Sequence, residues 1–159
     1  MKLLYSKRIF LRGIEAKDLN ERYLGWLNDS EVNRYLETRF SPETEESIYS
    51  YWKKHHNDSS SPWFAICLIK NSLHIGNIKI GPINWFHRNA YISLMIGDKN
   101  YWGKGYATEA IELIRDWAFK ELDLSKLKAG IYSTNISSRK AFEKSGFITK
   151  PEISATVVF

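Results

Sequence analysis

Ala90–Trp117, AYISLMIGDKNYWGKGYATEAIELIRDW, is the stretch that decides how this chain folds. It opens on an apolar run, Tyr91 to Ile96, whose β-branched and aromatic content predicts a buried strand. The polar break Gly97-Asp98-Lys99-Asn100 follows, and then Gly103-Lys104-Gly105. From about Ala107 the apolar residues take helical spacing, with Ala107, Ala110, Ile111, Ile114, Trp117 and Ala118 on one face. Glu109, Glu112, Asp116 and Lys120 fall on the other; Leu113 and Phe119 fit neither face cleanly. Strand, glycine turn and helix gather unpaired N–H groups and the positive end of a helix dipole at one spot, which suits an anion. Glycines there let a phosphate approach the backbone with no Cβ in the way. The same order also describes an ordinary tight turn between strand and helix. The segment carries neither the G-x-x-x-x-G-K-[ST] of a nucleotide loop nor the G-x-G-x-x-G of a dinucleotide fold.

Composition narrows the class. A chain of 159 residues, 43% hydrophobic and with six Trp, is long and apolar enough to bury a core as a single domain over 1–159. The longest apolar run, Trp63 to Ile69, is too short to cross a bilayer. Met1-Lys2-Leu3-Leu4 leads straight to Lys7-Arg8 without a signal-peptide hydrophobic region, so a soluble cytoplasmic protein is expected, with no membrane partner. The one cysteine, Cys67, sits inside the apolar run and reads as a buried, inert thiol. The net charge of +5 favours an anionic ligand. Because Lys7-Arg8, Lys53-Lys54 and Arg139-Lys140 are scattered, a small molecule with several phosphates is expected rather than nucleic acid. His55, His56, His74 and His87 lack zinc spacing, and no metal is expected.

Outward from the central stretch the chain reads as alternating elements. Lys7 to Arg12 is a first strand, and Asp18 to Leu27 a helix with Leu19, Tyr23, Leu24 and Leu27 on one face. Asn28-Asp29-Ser30 ends it and can cap a short helix from Glu31. Ser41-Pro42-Glu43 reads as the start of a helix running to about His56. Trp63–Lys70 and Ile75–Ile83 are strands joined at Asn71-Ser72, and Lys128–Tyr132 is a strand after the central helix. Ser137–Ser145 is a helix stopped by Gly146, and strands are expected from Phe147 and from Ala155 to Phe159. The class is α+β: a mixed central sheet of about six to seven strands flanked by about four helices.

The window Asn100-Tyr101-Trp102-Gly103-Lys104-Gly105 resembles the acyl-CoA pyrophosphate loop of the GNAT N-acetyltransferases, (Gln/Arg)-x-x-Gly-x-(Gly/Ala). Trp102 to Ala110, WGKGYATEA, is similar to the RimJ/RimL type. Asn100 departs from the usual Gln or Arg, which touches a side-chain contact and leaves the backbone cradle intact. A second resemblance lies in Asn135–Phe147, NISSRKAFEKSGF. It implies that Asn135 hydrogen-bonds the pantetheine arm and that the following helix, with Arg139, flanks the cofactor; Asn135 reads equally as a helix cap. The resemblance implies acetyl-CoA as donor, held by Leu94, Met95, Ile96, Trp102, Gly103, Lys104, Gly105, Tyr106, Ala107 and Thr108, and transfer of acetyl directly to an amine.

For the catalytic groups, the family's acidic Tyr is replaced here by Phe142. By resemblance to RimL-like members the role passes to Ser138, which reads on its own as a helix-start cap. A thiol leaves with a reference pKa of about 8.5, so little acid assistance is required. The family's strand Glu is Tyr91 in this chain, leaving Tyr91, His87, Glu31 and Glu37 as open candidates at the base position. An amine of pKa near 8 is roughly a tenth free at pH 7, against about a thousandth for one near 10, so a water chain serves the former. Backbone N–H around Leu94 to Ile96 is expected to hold the developing oxyanion.

The acceptor side is expected to comprise the early helices and the loop at Trp85. Trp26-Leu27-Asn28-Asp29, Glu31 and Tyr35 resemble GNAT enzymes that act on nucleotide-linked amino sugars, with Tyr35 and Trp85 either stacking on the acceptor or packing in the core. Ile83–Arg88 is also similar to polyamine acetyltransferases, although Glu43-Glu45-Glu46 is the sole carboxylate cluster and a basic chain suits an anionic acceptor better. The expected function is acetylation of a small-molecule amine, an amino sugar among them. Acetylation of protein N-termini or polyamines, and CoA binding without turnover, are the alternatives. The expected partners are that amine and, in an oligomer, a second copy in a homodimer.

Overall fold

The computed structural model describes residues 3–132, 134–150 and 156–159, and of Glu37, Thr38, Thr156 and Val157 the backbone alone. The strands are β1 (Leu4–Tyr5), β2 (Ile9–Gly13), β3 (Trp63–Leu68), β4 (His74–Ile80), β5 (Asn89–Ile96), β6 (Lys126–Gly130), β7 (Ile148–Lys150) and β8 (Thr156–Val158). They form one sheet in the order β1-β2-β3-β4-β5-β6-β8-β7, antiparallel except where β5 lies beside β6. The α-helices are α1 (Glu21–Asn28), α2 (Glu45–His55), α3 (Tyr106–Lys120) and α4 (Ile136–Lys144). A mixed sheet with four flanking helices is the expected α+β architecture, and the two-residue β1 carries the strand count from seven to eight.

Side-chain alternation divides the core between the two faces of the sheet. Ile9, Leu11, Phe64, Ile66, Ile78, Ile80 and Ile92 meet α3 and α4, whereas Trp63, Ala65 and Cys67 meet α1 and α2. With both faces covered, β3 reads as an unbroken apolar run, and β4, HIGNIKI, is buried along nearly its whole length with its polar residues His74, Asn77 and Lys79 interspersed. On α3 the predicted stripe holds: Ala110, Ile111, Ile114 and Ala118 are fully buried. Each buried Ile there contributes about 1.5–3 kcal/mol. Phe119, which the stripe left out, lies 5.3 Å from the ring of Phe159, so the end of the chain covers that flank of the helix.

Several boundaries differ from expectation for local reasons. Asp18 turns inward to Arg12, at 2.7 and 2.8 Å, so a 3-10 turn at Ala16–Asp18 precedes α1 and Asn20 becomes its cap. The short helix expected at Glu31 is absent, since Asp29 Oδ1 takes the N–H of Glu31 within a turn and a 3-10 helix forms at Glu37–Phe40 instead. The helix start expected at Ser41-Pro42 moves to Glu45, where Thr44 and Ser47 cap each other reciprocally. The strand expected at Lys128–Tyr132 lies two residues earlier, because Lys126 pairs with Asn89 and Tyr132 leaves the sheet to face Tyr35, 6.0 Å away. The expected final strand includes β8; its expected start, Ala155, lies outside the described residues.

One feature of the sheet positions the site. β5 and β6 pair only over Asn89–Tyr91 and Lys126–Lys128, whereas β5 stays paired with β4 from Ile92 to Ile96. Beyond Tyr91 the sheet splits, and one edge of β5 is left uncovered.

Candidate active site

Strand parity determines which backbone groups face the split. Tyr91 C=O accepts from Gly81 N–H, and Gly97 N–H donates to Ile75 C=O, so the odd-numbered residues of β5 point toward β4. The N–H groups of Leu94 and Ile96 therefore point to the uncovered edge. Met95, grouped with them from the sequence, directs its backbone to β4 and contributes its side chain to the cavities on either side.

Past Ile96 the chain forms the glycine turn. The indole N–H of Trp102 donates to Ile96 C=O at 2.7 Å and folds the turn back over the strand end. Gly103 and Gly105 both have left-handed φ, +69° and +83°. A Cβ at Gly103 would meet nothing within 4 Å, and one at Gly105 would meet only the Arg8 guanidinium at 3.4 Å, so the space in front of the turn is open. None of the consecutive N–H groups from Gly103 to Thr108 has a hydrogen-bond partner among the described residues. A run of unpartnered donors at a helix start suits a bound anion such as a phosphate.

The turn is braced from behind by Arg8 and Glu109, a pairing that no sequence pattern announces. Arg8 Nε donates to Glu109 Oε1 at 2.8 Å, its Nη1 to Lys104 C=O at 2.9 Å, and its guanidinium stacks 4.1 Å above the Tyr106 ring. Glu109 Oε2 also accepts from the backbone N–H of Arg8 and of Ile9, at 2.9 and 3.2 Å. Burial pushes the Glu109 carboxyl up, but these donors more than offset it and hold it below the usual carboxylate range. A Glu in the first turn of α3 was visible in the sequence; its partner, 101 residues earlier, was not.

A cavity of about 690 Å³ lies in front of the turn, lined by the uncovered edge at Leu94 and Ile96, by the α3 start, and by α4. Asn135 caps α4, its Oδ1 accepting from Ser138 N–H at 3.3 Å, and both residues line the cavity. Tyr35 spans it, donating its hydroxyl to Thr134 C=O at 3.1 Å. Lys140, Lys144 and Arg34 bring cations to this cavity. Arg139, expected in that role, faces the other side of α4 and pairs with Glu143 at 3.5 Å; of the pair Arg139-Lys140, the helix phase turns the second member to the cavity. Lys104 is turned away too, its Nζ donating to Asn100 C=O at 2.7 Å.

A second cavity, of about 410 Å³, lies on the α1 and α2 face and meets the first at Leu36, Leu94 and Met95. Its floor is two cross-strand rungs, Trp63–Lys79–Ser93 and Ala65–Asn77–Met95, of which Ala65 lies buried below the lining residues. Tyr23, Tyr51 and Glu43 form the opposite wall. Behind Asn77 runs a buried polar chain: Asn77 Oδ1 lies 2.7 Å from His74 Nε2, and His74 Nδ1 lies 3.9 Å from Asp18, itself held by Arg12. Burial lowers the His74 pKa, outweighing the opposing pull of Asn77 and Asp18. Burial raises the Asp18 carboxyl, but the hydrogen bonds from Arg12 and Glu15 N–H hold it below its ordinary value.

Other expected acceptor and catalytic residues lie elsewhere. His87 and Trp85 sit in the exposed connection before β5, so the strand's eight residues, roughly 26 Å at 3.3 Å each, separate them from the glycine turn. Tyr91 is half-exposed with Lys128 Nζ 5.7 Å above its ring, and lines neither cavity. Trp26 is buried: its ring lies edge-on to His74 at 5.0 Å and against Gly97, where an added Cβ would come within 2.1 Å of it. Glu31 borders the first cavity with Lys99 Nζ 3.5 Å from its carboxylate. The side chain of Glu37 lies outside what the structure describes.

The sequence profile of the acetyltransferase (GNAT) domain matches residues 8–148. This chain is a GNAT acetyltransferase. Spermidine N(1)-acetyltransferase of Escherichia coli (strain K12) is 32% identical over 146 residues, covering 90% of this chain and 74% of that protein. In structure the GNAT chain superposes on an acetyltransferase of the family from Bacillus anthracis with a TM-score of 0.83 at 23% identity, over 99% of this chain and 96% of that one. It superposes equally, at 0.83 and 22% identity, on spermidine N-acetyltransferase from Vibrio cholerae in complex with CoA and spermine, over 95% and 94% of the two chains. At such identities these superpositions establish the fold alone. As a GNAT enzyme the chain is an acetyl-CoA-dependent N-acetyltransferase, and the unpartnered N–H run beside Lys140 and Lys144 fits that donor's phosphates. Among the described residues no helix is long and apolar enough to cross a membrane, and no three His, Cys, Asp or Glu side chains group as metal ligands.

Proposed function

We propose that this enzyme, a single domain of the RimJ/RimL-like type acting in the cytoplasm, acetylates the primary amine of a small molecule by direct transfer. The observation that carries the reading is the uncovered edge of β5, which lies where the donor and acceptor cavities meet at Leu94 and Met95. Bound acetyl-CoA supplies the acetyl group as a thioester. The N–H groups of Gly103 to Thr108, with Lys140 and Lys144, hold its phosphates, and the amide of Asn135 holds its pantetheine arm. Leu94 and Ile96 N–H aim at the carbonyl oxygen as it gains charge. The neutral amine attacks the thioester carbonyl, and as the C–S bond breaks Ser138, which lines the donor cavity, passes its hydroxyl proton to the sulfur and regains one from the amine nitrogen, so that CoA leaves as thiol. Holding both reactants across one gap supplies much of the acceleration.

Release of free thiol from acetyl-CoA, followed with nucleotide-linked amino sugars, other small amines, polyamines and N-terminal peptides, tests this. Turnover is expected with a small amine and not with peptides; release with none of them would leave a CoA-binding module. Ser138→Ala is expected to lower kcat about tenfold or more with little change in KM for acetyl-CoA, and a wild-type rate removes Ser138 from the mechanism. A polyamine acceptor is the second reading, favoured by the relatives named as spermidine acetyltransferases and by the carboxylate of Glu43 in the acceptor cavity.

A further inference from the structure

Two opposite charges enter the acceptor cavity at separate points. Glu43 comes from the loop before α2, its carboxylate accepting from Ser47 Oγ at 2.6 Å while Asn28 holds its backbone N–H and C=O at 2.8 and 2.9 Å. Lys79 comes from β4, between Trp63 and Ser93 of the neighbouring strands, and its Nζ donates to the Tyr51 hydroxyl oxygen at 3.2 Å. Ser47 and Tyr51 are four residues apart on α2, so these two anchor points stand about 6 Å apart along the helix. Neither Glu43 nor Lys79 forms an ion pair among the described residues. Asp58 lies within electrostatic reach of Lys79, but its carboxylate already accepts from Ser60 N–H and Oγ–H. The walls between the two charges are mostly aromatic and apolar, and both charges stand half-exposed at the cavity without an ion-pair partner, so a ligand that brings the opposite sign to each is favoured.

Resting on the acetyltransferase reading of this same cavity, we propose that the acceptor is a small amphoteric amine, with a carboxylate or phosphate a few bonds from its primary amine. The ammonium lies by Glu43 and Ser47. The anion takes hydrogen bonds from Lys79 Nζ and from the Tyr51 O–H, whose proton is left over from the lysine contact. Tyr23 and Trp63 pack on the carbon skeleton between them. A polyamine in the same place brings a second cation to Lys79, and a protein N-terminus carries an anion at that separation only where its first residue is acidic.

The test is calorimetric titration into CoA-saturated protein with matched probes: leucine against 3-methylbutylamine, glucosamine 6-phosphate against glucosamine, and spermidine. At least one anionic member is expected to bind about tenfold or more tighter than its counterpart, the worth of one charge-assisted hydrogen bond. Which pair shows the preference separates a carboxylate from a phosphate acceptor. Lys79→Met is expected to abolish the preference with CoA affinity kept, and Lys79→Glu to turn it toward spermidine. Equal affinity within both pairs, preference for spermidine by the unaltered protein, or binding of no probe overturns the proposal. A prior titration with CoA alone keeps the two levels apart: failure there removes the acetyltransferase reading, whereas intact CoA binding with indifferent pairs removes only the charge selection.

Discussion

The two halves of the cleft are made of different material. On the proposed reading the donor half is mostly backbone: N–H groups from Gly103 to Thr108 and along the open edge of β5, all within one continuous stretch. The acceptor half is side chains brought from α1, the loop before α2, α2 itself, β4 and β5. Backbone recognition leaves a local trace, because presenting several N–H groups to one ligand requires left-handed glycines and a helix start in fixed order. Side-chain recognition leaves no such trace, because Lys79 resembles any strand lysine until topology sets it beside Tyr51.

The change expected to have the largest effect attacks the backbone half. Gly105→Glu places a carboxylate in the diphosphate space and adds a left-handed residue costing about 1–2 kcal/mol. CoA affinity by calorimetry is expected to fall by a hundredfold or more, on the order of two close like-charge contacts. Unchanged affinity would show that the turn is not the donor site and would dissolve the contrast. Next comes Glu109→Ala, which orphans the N–H groups of Arg8 and Ile9 and frees the guanidinium that holds Lys104 C=O. A loss of about 2 kcal/mol is expected in urea denaturation, with weakened CoA binding; intact CoA binding would separate the brace from the cradle.

Acidification distinguishes the halves further. Burial holds His74, behind the acceptor floor, below its ordinary pKa, so the unfolded chain takes up that proton first. This contribution to stability is full above about pH 6.5 and is lost as pH falls toward the folded value. Glu109 and Asp18, both depressed, contribute above the carboxylate range, and their part is lost only as pH drops below about 4.5. Denaturation midpoints between pH 5 and 7 are therefore expected to slope in the wild type and to flatten in His74→Gln. The smallest effect is expected from Tyr35→Phe, which removes one hydrogen bond to Thr134 C=O. It is worth about 1 kcal/mol, read as a small fall in the urea midpoint together with faster CoA dissociation.

What was legible follows the same line. The α3 stripe, the glycine turn and the Asn135 cap are written in neighbouring residues and stand where the sequence places them. Misplaced residues depended on distance or phase. Trp85 and His87 are close in sequence to the central strand, yet a strand separates its ends by its full length. Arg139 and Lys140 are adjacent, yet a helix turns successive side chains by about 100°. Trp26 groups with the acceptor residues in sequence, and its packing against His74 and Gly97 makes it a core residue instead.

That last contact has a wider meaning. Trp26 belongs to the helix that roofs the acceptor, and Gly97 is the residue from which the chain departs toward the diphosphate turn. With no room for even a methyl group between them, and with Arg22 paired to Asp98 at 2.6 Å and Lys99 to Asp29 at 2.7 Å beside them, the two chambers are keyed together at a fixed joint. On the proposed reading, replacing Glu43, Tyr51 or Lys79 would therefore change which amine the chamber accepts without altering the distance an acetyl group must travel.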